Sequence, residues 1–233
     1  YDLHSRERLA LMAELRDAID LGQLVLHFQP KVDIQTGRIV GAEALVRWQH
    51  PERGFLTPDR FIPTAENTGL MEPLTRWVLA DALGLCQSAR REGIPLRVSV
   101  NLSARSLHDP RLADMVEHAL EFSGADARHL VLEITESAIV LDPAGAMETL
   151  TTLSRMGVWL SIDDFGIGYT SLASIRHLPV NEIKVDKSFV LGMLADQSDA
   201  MIVRAVVELG HNLGWRVVAE GVETQEMLEA LAG

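Results

Sequence analysis

Short runs of β-branched and apolar residues alternate along this chain with longer helix-patterned stretches, and no other feature restricts the fold as much. Strand-like runs fall at Val25–Phe28, Ile39–Trp48, Leu96–Leu102, Leu130–Thr135, Val158–Ile162, Glu182–Val185 and Arg216–Ala219. Apolar residues at helical spacing mark Glu7–Ile19, Phe61–Asn67, Pro73–Gly93, Arg111–Ser123, Pro143–Met156, Ser171–His177 and Asp199–Leu213. Gly93 stands where a helix end calls for a left-handed residue, and His50–Thr57 is rich in Pro and Gly and reads as a loop. A strand that is followed by a helix returns to a parallel neighbour through a crossover. The alternation therefore predicts an α/β fold, either an open doubly wound sheet or a barrel. The 233 residues are slightly short of the about 250 of a full (β/α)8 barrel, and seven strand runs are one too few to close it. No internal repeat interrupts the pattern. One domain is expected over residues 21–233, behind an amphipathic helix at 1–20 that could connect to an upstream domain.

Chemistry enters through the polar residues at the strand ends. Glu43 lies in the second run, Asn101 closes the third, and Glu133 sits in the fourth. Asp163 and Asp164 follow the fifth, Lys184 and Asp186 straddle Val185 in the sixth, and Glu220 follows the last. The C-terminal ends of parallel strands are where barrels and open sheets build their sites. Residues two apart on a strand share a face, so Glu43 with Arg47, and Lys184 with Asp186, can point into one cavity. A lone acid at a strand end is more often a helix cap or a turn residue. Acids at so many strand ends are not explained that way. Converging carboxylates cost several kcal/mol per uncompensated buried ion by rough estimate, so a cation must compensate them. Oxygen donors with one amide and no Cys or His select a hard ion such as Mg²⁺ or Mn²⁺, and six acids exceed what one such ion takes from protein. Two ions suit in-line displacement at phosphorus, which points to phosphodiester hydrolysis. Lys184 could hold or deprotonate the attacking water or neutralise developing charge, and Arg47 offers a fork that fits phosphate.

Composition removes several alternatives. With 33 acidic and 21 basic side chains the net charge is −12, which argues against coating a DNA or RNA polymer. The single cysteine, Cys86, cannot form an internal disulfide and favours a reducing compartment, so a cytoplasmic location is expected. Its position beside Leu83 and Leu85 predicts core packing, as do Leu74, Trp77 and Val78 at helical spacing. No apolar run approaches the about 18 residues of a membrane span, so no membrane contact is expected of this segment. Asp163-Asp164-Phe165-Gly166-Ile167-Gly168 contains a kinase-like metal triplet, but no Gly-rich strand loop or His-Arg-Asp loop accompanies it. The eight histidines show no metal-binding spacing.

The motifs, taken in order, resemble the EAL-domain family of cyclic di-GMP phosphodiesterases over Leu21 to Gly233. They are Phe28-Gln29-Pro30, Glu43-Ala44-Leu45-Val46-Arg47, Phe61-Ile62-Pro63 with Ala65-Glu66, Asn101-Leu102-Ser103 and Glu133-Ile134-Thr135-Glu136. Asp163–Gly168, Lys184-Val185-Asp186 and Glu220-Gly221-Val222-Glu223 complete the set. The resemblance implies a modified TIM barrel whose first strand runs antiparallel, with two Mg²⁺ or Mn²⁺ ions at its C-terminal mouth. It implies hydrolysis of one phosphodiester of cyclic di-GMP to linear pGpG. On the matching positions, Glu43, Asn101, Glu133 and Asp163 would ligate one metal, and Asp163, Asp164, Asp186 and Glu220 would surround the second. Lys184 would assist the attacking water. Gln29 and Arg47 would contact the dinucleotide, Glu136 would brace the loop after Asp163–Asp164, and Glu223 would support the site from behind. A homodimer formed through that loop and its adjoining helix is also implied.

Three departures stand out. Phe28 replaces a commoner Tyr, Thr170 replaces a common Ser, and the chain ends before the family's last strand. The domain is therefore expected to be C-terminally incomplete here, with the eighth strand present in the natural protein. Two other functions compete with the hydrolase. A non-catalytic cyclic di-GMP receptor would use the same pocket, but receptors of the family often lose the first Glu, one of the paired Asp residues or the Lys. Glu43, Asp163, Asp164 and Lys184 are all present. An unrelated Mg²⁺-dependent barrel acting on sugars or enols would explain the acids but not the motif order.

Overall fold

The computed structural model describes residues 2–168 and 175–232. Its sheet contains β1 (Leu24–Val32), β2 (Ile39–His50), β3 (Gly54–Leu56), β4 (Arg97–Leu102), β5 (Leu130–Thr135), β6 (Trp159–Phe165), β7 (Glu182–Val185) and β8 (Arg216–Ala219). The strands run in the order β1-β2-β4-β5-β6-β7-β8 around a curled, partial barrel, with β3 paired to β2 alone. From β2 onward neighbours on this path are parallel, whereas β1 pairs antiparallel with β2. Among the described residues no ladder joins β8 to β1.

Alternation alone predicts parallel pairing throughout, so the first strand follows the family resemblance rather than the alternation. The reason is local. Asp33 Oδ1 accepts the Thr36 N–H at 2.8 Å and its hydroxyl at 2.7 Å, while Gly37 takes φ +67°. That tight reversal makes β1 and β2 a hairpin and leaves no room for a helical crossover.

Side chains on the two faces of the sheet differ sharply. Val98, Val100 and Leu102 of β4, Leu130, Leu132 and Ile134 of β5, and Leu160 and Ile162 of β6 face the helices and form the core with them. The alternate positions, Ser99 and Asn101, Glu133, Ser161 and Asp163, and Glu182 and Lys184, fall on the other face. The main hydrophobic core thus lies between sheet and helices, and the barrel interior is polar.

Helix Met71–Arg91 buries Met71, Leu74, Thr75, Val78, Leu79, Ala82, Leu83 and Cys86, a 3.6-residue stripe as the sequence predicts. Each buried leucine contributes about 1.5–3 kcal/mol of transfer free energy. Gly93 takes φ +78°, the left-handed residue expected after this helix. Trp77 packs against the same core. The other helices lie within a few residues of expectation: Pro58–Thr68, Leu112–Ser123, Pro143–Arg155 and Gln197–Asn212. Asp142 and Asp196 cap the last two by accepting the N–H groups of Gly145 and Ser198. The leading helix, Asp2–Asp20, buries Leu15 and Ala18 completely.

Sequence patterning does not reveal β3, nor the short helices Ala104–Leu107, Glu136–Leu141 and Lys187–Gly192. Segments of three to six residues are too short to show a period. The helix expected over Ser171–His177 lies largely outside the described residues, as does Thr170.

Candidate functional site

Register brings the polar strand-end residues together. Gln29 faces Glu43 across β1 and β2, Asn101 faces Glu133 across β4 and β5, and Thr135 faces Asp163 across β5 and β6. The shared point is the Lys184 ammonium, buried at 1% exposure at the mouth of the barrel. Its Nζ lies 2.6 Å from Glu133 Oε2, 2.6 Å from Glu220 Oε1, 2.9 Å from Asp163 Oδ1 and 3.3 Å from Glu43 Oε2. Asn101 donates from Nδ2 to Glu43 Oε1 at 2.7 Å, which fixes the remaining oxygen of that carboxylate.

Asp163 and Asp164 both reach this cluster although consecutive strand residues normally face opposite ways. The β6–β7 register breaks between Ile162 and Phe165, and Asp164 adopts φ +53°. Aspartate tolerates this left-handed backbone better than most residues do. The Asp164 N–H donates to Asp163 Oδ1 at 3.0 Å. The carboxylates of Asp163, Asp164 and Glu220 consequently offer oxygens all within 4.8 Å of one another.

Asp186 is buried and caps helix Lys187–Gly192, accepting the Ser188 N–H at 2.8 Å and the Ser188 hydroxyl. It also meets Asp164 carboxyl to carboxyl. Glu136 is buried and accepts the Gly166 N–H at 3.5 Å. A Cβ at Gly168 would stand within 2.7 Å of the Glu136 carboxylate oxygens, so the loop after Asp163–Asp164 lies directly against Glu136. Gln29 is exposed beside the cluster, Arg47 is half-buried with Nη1 donating to the Val46 carbonyl at 2.9 Å, and Glu223 is exposed in the segment after β8.

Four carboxylates therefore contact one lysine, and Asp164 and Asp186 stand beside them. Burial opposes charge on Lys184, but Glu133, Asp163, Glu43 and Glu220 outweigh it and hold the ammonium protonated well above the usual lysine range. The acids divide. Burial would raise Glu133, yet Lys184 and Lys31 overcome it and keep that group below its ordinary value. Burial and the Asp163 and Asp186 carboxylates push Asp164 up. Burial, with Asp163 and Glu43, pushes Glu220 up despite Lys184. One cation does not satisfy the mouth. The donors are carboxylate and amide oxygens with no Cys or His, the set that suits a hard divalent cation.

Two residues that sequence reasoning passed over lie directly beneath. Lys31 Nζ donates to Glu133 Oε1 at 2.7 Å and to Glu182 Oε1 at 2.9 Å, and the Ser161 hydroxyl donates to Glu182 Oε1 at 3.1 Å. The signal was available: Lys31 is two residues from Gln29, and Glu182 two from Lys184, so each shares the inward face of its strand.

The geometry agrees with what comparison finds. The EAL domain family matches residues 12–232. The bifunctional diguanylate cyclase/cyclic di-GMP phosphodiesterase MucR of Pseudomonas aeruginosa is 43% identical over 98% of this chain and 33% of its own length. The cyclic di-GMP phosphodiesterase NbdA of the same organism is 43% identical over 98% of the chain and 29% of its length. The chain thus spans about a third of the length of these curated relatives. Among solved structures, the MucR phosphodiesterase in complex with c-di-GMP superposes with a TM-score of 0.92 at 43% identity, covering 96% of this chain and 91% of that one. The EAL enzyme Bd1971 in its cAMP- and cyclic-di-GMP-bound form gives 0.90 at 28% identity, covering 98% of this chain and 63% of that one. This chain belongs to the EAL domain family.

Proposed function

We propose that this chain is a metal-dependent phosphodiesterase that opens cyclic di-GMP to linear pGpG. The observation that carries the reading is the mouth itself, where Glu43, Glu133, Asp163 and Glu220 converge on Lys184 and Asp164 joins Asp163 and Glu220, at the positions of the family's motifs. A relative of 43% identity solved as a c-di-GMP complex supports the substrate. Glu43, Asn101, Glu133 and Asp163 would hold one Mg²⁺ or Mn²⁺, and Asp163, Asp164, Asp186 and Glu220 a second. Bound there, such ions lower the pKa of water and stabilise charge on phosphate oxygens.

The residues of the chain do the rest. Gln29 and Arg47, at the rim, orient the dinucleotide, and the Arg47 fork suits a phosphate. Lys184, held as an ammonium, donates hydrogen bonds and positive charge to the oxygens of the attacked phosphate and to the water. Water adds to phosphorus in line with the leaving ribose 3′ oxygen, that P–O bond breaks, and the water's protons end on the freed 3′-hydroxyl and in solvent. Glu136 keeps the loop that follows Asp163–Asp164 in place, and Glu223 supports the site from the segment after β8.

Two further readings accompany this proposal. Homodimerisation would use the loop after Asp163–Asp164 and its adjoining helix, and Ile167 in that loop is 55% exposed. Among the described residues no helix is long and apolar enough to cross a membrane, and the net charge of −12 with a single buried thiol fits a cytoplasmic domain that binds no nucleic-acid polymer. The domain division, a helix at 1–20 ahead of a catalytic domain at 21–233, belongs to the same proposal.

The test is to incubate the protein with cyclic di-GMP and Mg²⁺ or Mn²⁺ and separate the nucleotides by chromatography. Linear pGpG is expected. Binding of cyclic di-GMP with no product formed would reject the hydrolase and leave a receptor.

A further inference from the structure

The interior of this barrel holds a column of alternating charge that extends below the mouth. Glu182, Lys31, Glu133 and Lys184 follow one another along the axis, each joined to the next by a contact of 2.6–2.9 Å. Glu133 stands at the junction with its side chain fully buried. Its two oxygens have separate partners: Oε1 accepts from Lys31 and Oε2 from Lys184. Only Oε2 is turned toward the cluster that contains Glu43, Asp163 and Glu220.

A carboxylate on a strand can turn about its last torsion, and a buried one with a single partner could swing either oxygen, or both, toward an ion. Lys31 removes that freedom. Its own position is fixed by Glu182, whose Oε1 also accepts from Ser161 one strand away. Lys31 reaches in from β1, the antiparallel strand, so the hairpin that sets β1 against β2 places this cation under a ligand of β5.

We infer that Lys31, braced by Glu182 and Ser161, is a positioning residue that claims Oε1 of Glu133, presents Oε2 alone to the mouth, and so sets the metal affinity of the site from below. The inference rests on the reading of Glu133 as a metal ligand. Lys31 touches neither substrate nor ion in this role. It acts as the outer partners of metal ligands do, fixing the orientation of the ligand and its charge state.

The experiment measures Mn²⁺ binding directly, from the electron paramagnetic resonance signal of free Mn²⁺ titrated into metal-free protein, without substrate. Lys31→Met keeps length and apolar bulk and removes the charge. Its Mn²⁺ Kd is expected to weaken by about 10–100-fold, the usual effect of losing a ligand's outer partner, and the Mn²⁺ concentration for half-maximal hydrolysis to rise with it. Glu182→Gln, which leaves the Lys31–Glu133 contact intact but loosens Lys31, is expected to weaken Mn²⁺ binding in the same direction by a smaller factor. It decides the matter if Lys31→Met does not fold. Unchanged Mn²⁺ affinity in the folded variants, even with lowered thermal stability, would assign Lys31 a purely structural role and overturn the inference. Glu133→Gln separates the two levels: if it too leaves Mn²⁺ affinity unchanged, the ligand reading has failed. If it weakens binding while Lys31→Met does not, only the positioning inference has failed.

Discussion

The two ends of the barrel interior are made from the same kinds of residue and strike opposite balances. At the lower end Lys31 pairs with both Glu133 and Glu182, and the Trp159 ring has the Arg97 guanidinium 3.8 Å and the Arg216 guanidinium 5.1 Å from its centroid. Each charge there has an opposite charge, a hydroxyl or an aromatic face beside it. At the mouth, one ammonium serves four carboxylates with Asp164 and Asp186 beside them, and Asp164 and Glu220 are pushed toward their protonated forms. An end whose acids are each paired with a cation contributes to stability, although burial and the neighbouring Arg216 charge lower the Arg97 pKa there. An end that carries surplus acid is held together at a cost, and the surplus is matched only when something positive enters. Catalytic residues of barrels collect at the C-terminal face for the same reason of access, while the N-terminal face is given to stability.

The largest expected effect lies at the mouth. Glu43→Ala removes a carboxylate that Asn101 and Lys184 hold in place, and turnover should fall by more than about 100-fold, beyond what loss of an outer partner costs. Wild-type rates at saturating Mg²⁺ would remove Glu43 from the metal site.

The same change of acid to amide should have opposite signs at the two ends. Glu182→Gln breaks a buried pair while Lys31 keeps Glu133, and should cost about 1–3 kcal/mol in urea unfolding of the metal-free protein. Asp164→Asn should stabilise that protein instead. Burial, Asp163 and Asp186 raise the Asp164 pKa above its ordinary 3.8, so the folded state holds this proton more tightly than the unfolded chain does. Stability then falls as pH rises from the ordinary carboxylate range through the raised value, and at neutral pH the penalty is fully present. Asn removes it and still tolerates the left-handed backbone. Since Asp164 is only half-buried, solvent screening limits the gain to less than about 1 kcal/mol. Destabilisation by Asp164→Asn at neutral pH would show that the mouth carries no surplus.

A smaller effect tests the lower end alone. Trp159→Ala should cost more than its buried area predicts, by about 0.5–2 kcal/mol for the lost guanidinium contacts, and should leave the metal dependence of hydrolysis as it was. The smallest concerns the helix layer. Cys86 is 2% exposed and burial pushes its thiol up to about 11, so native protein at pH 8 should not react with an aromatic disulfide until it unfolds.

Much of this was legible in the sequence, and the limits have physical causes. Strand-end acids are visible because a carboxylate inside an apolar run is rare and has few structural uses. Their convergence is visible because parallel strands put equivalent ends together. The antiparallel first strand follows from the family resemblance, whereas strand–helix alternation alone misses it because it outweighs the five-residue turn signal at Asp33–Gly37. Gly54–Leu56 forms β3 by folding back on the end of β2, with His50 opposite Gly54, and three residues are too few to show a strand period. Lys31 and Glu182 were missed for a different reason. Single charged residues in strands usually face solvent, and only the register shows that these two meet across 151 residues of chain. Asp186 and Glu220 were singled out equally, yet the structure gives Asp186 a helix to cap as well.

The contrast between the two ends is tested most directly by anomalous diffraction from crystals grown with Mn²⁺. The account predicts anomalous density at the mouth, among Glu43, Asn101, Glu133, Asp163, Asp164, Asp186 and Glu220, and none beside Lys31, Glu182 or Trp159. A mouth that stays free of Mn²⁺ at saturating concentration, or density at the lower end instead, would contradict it.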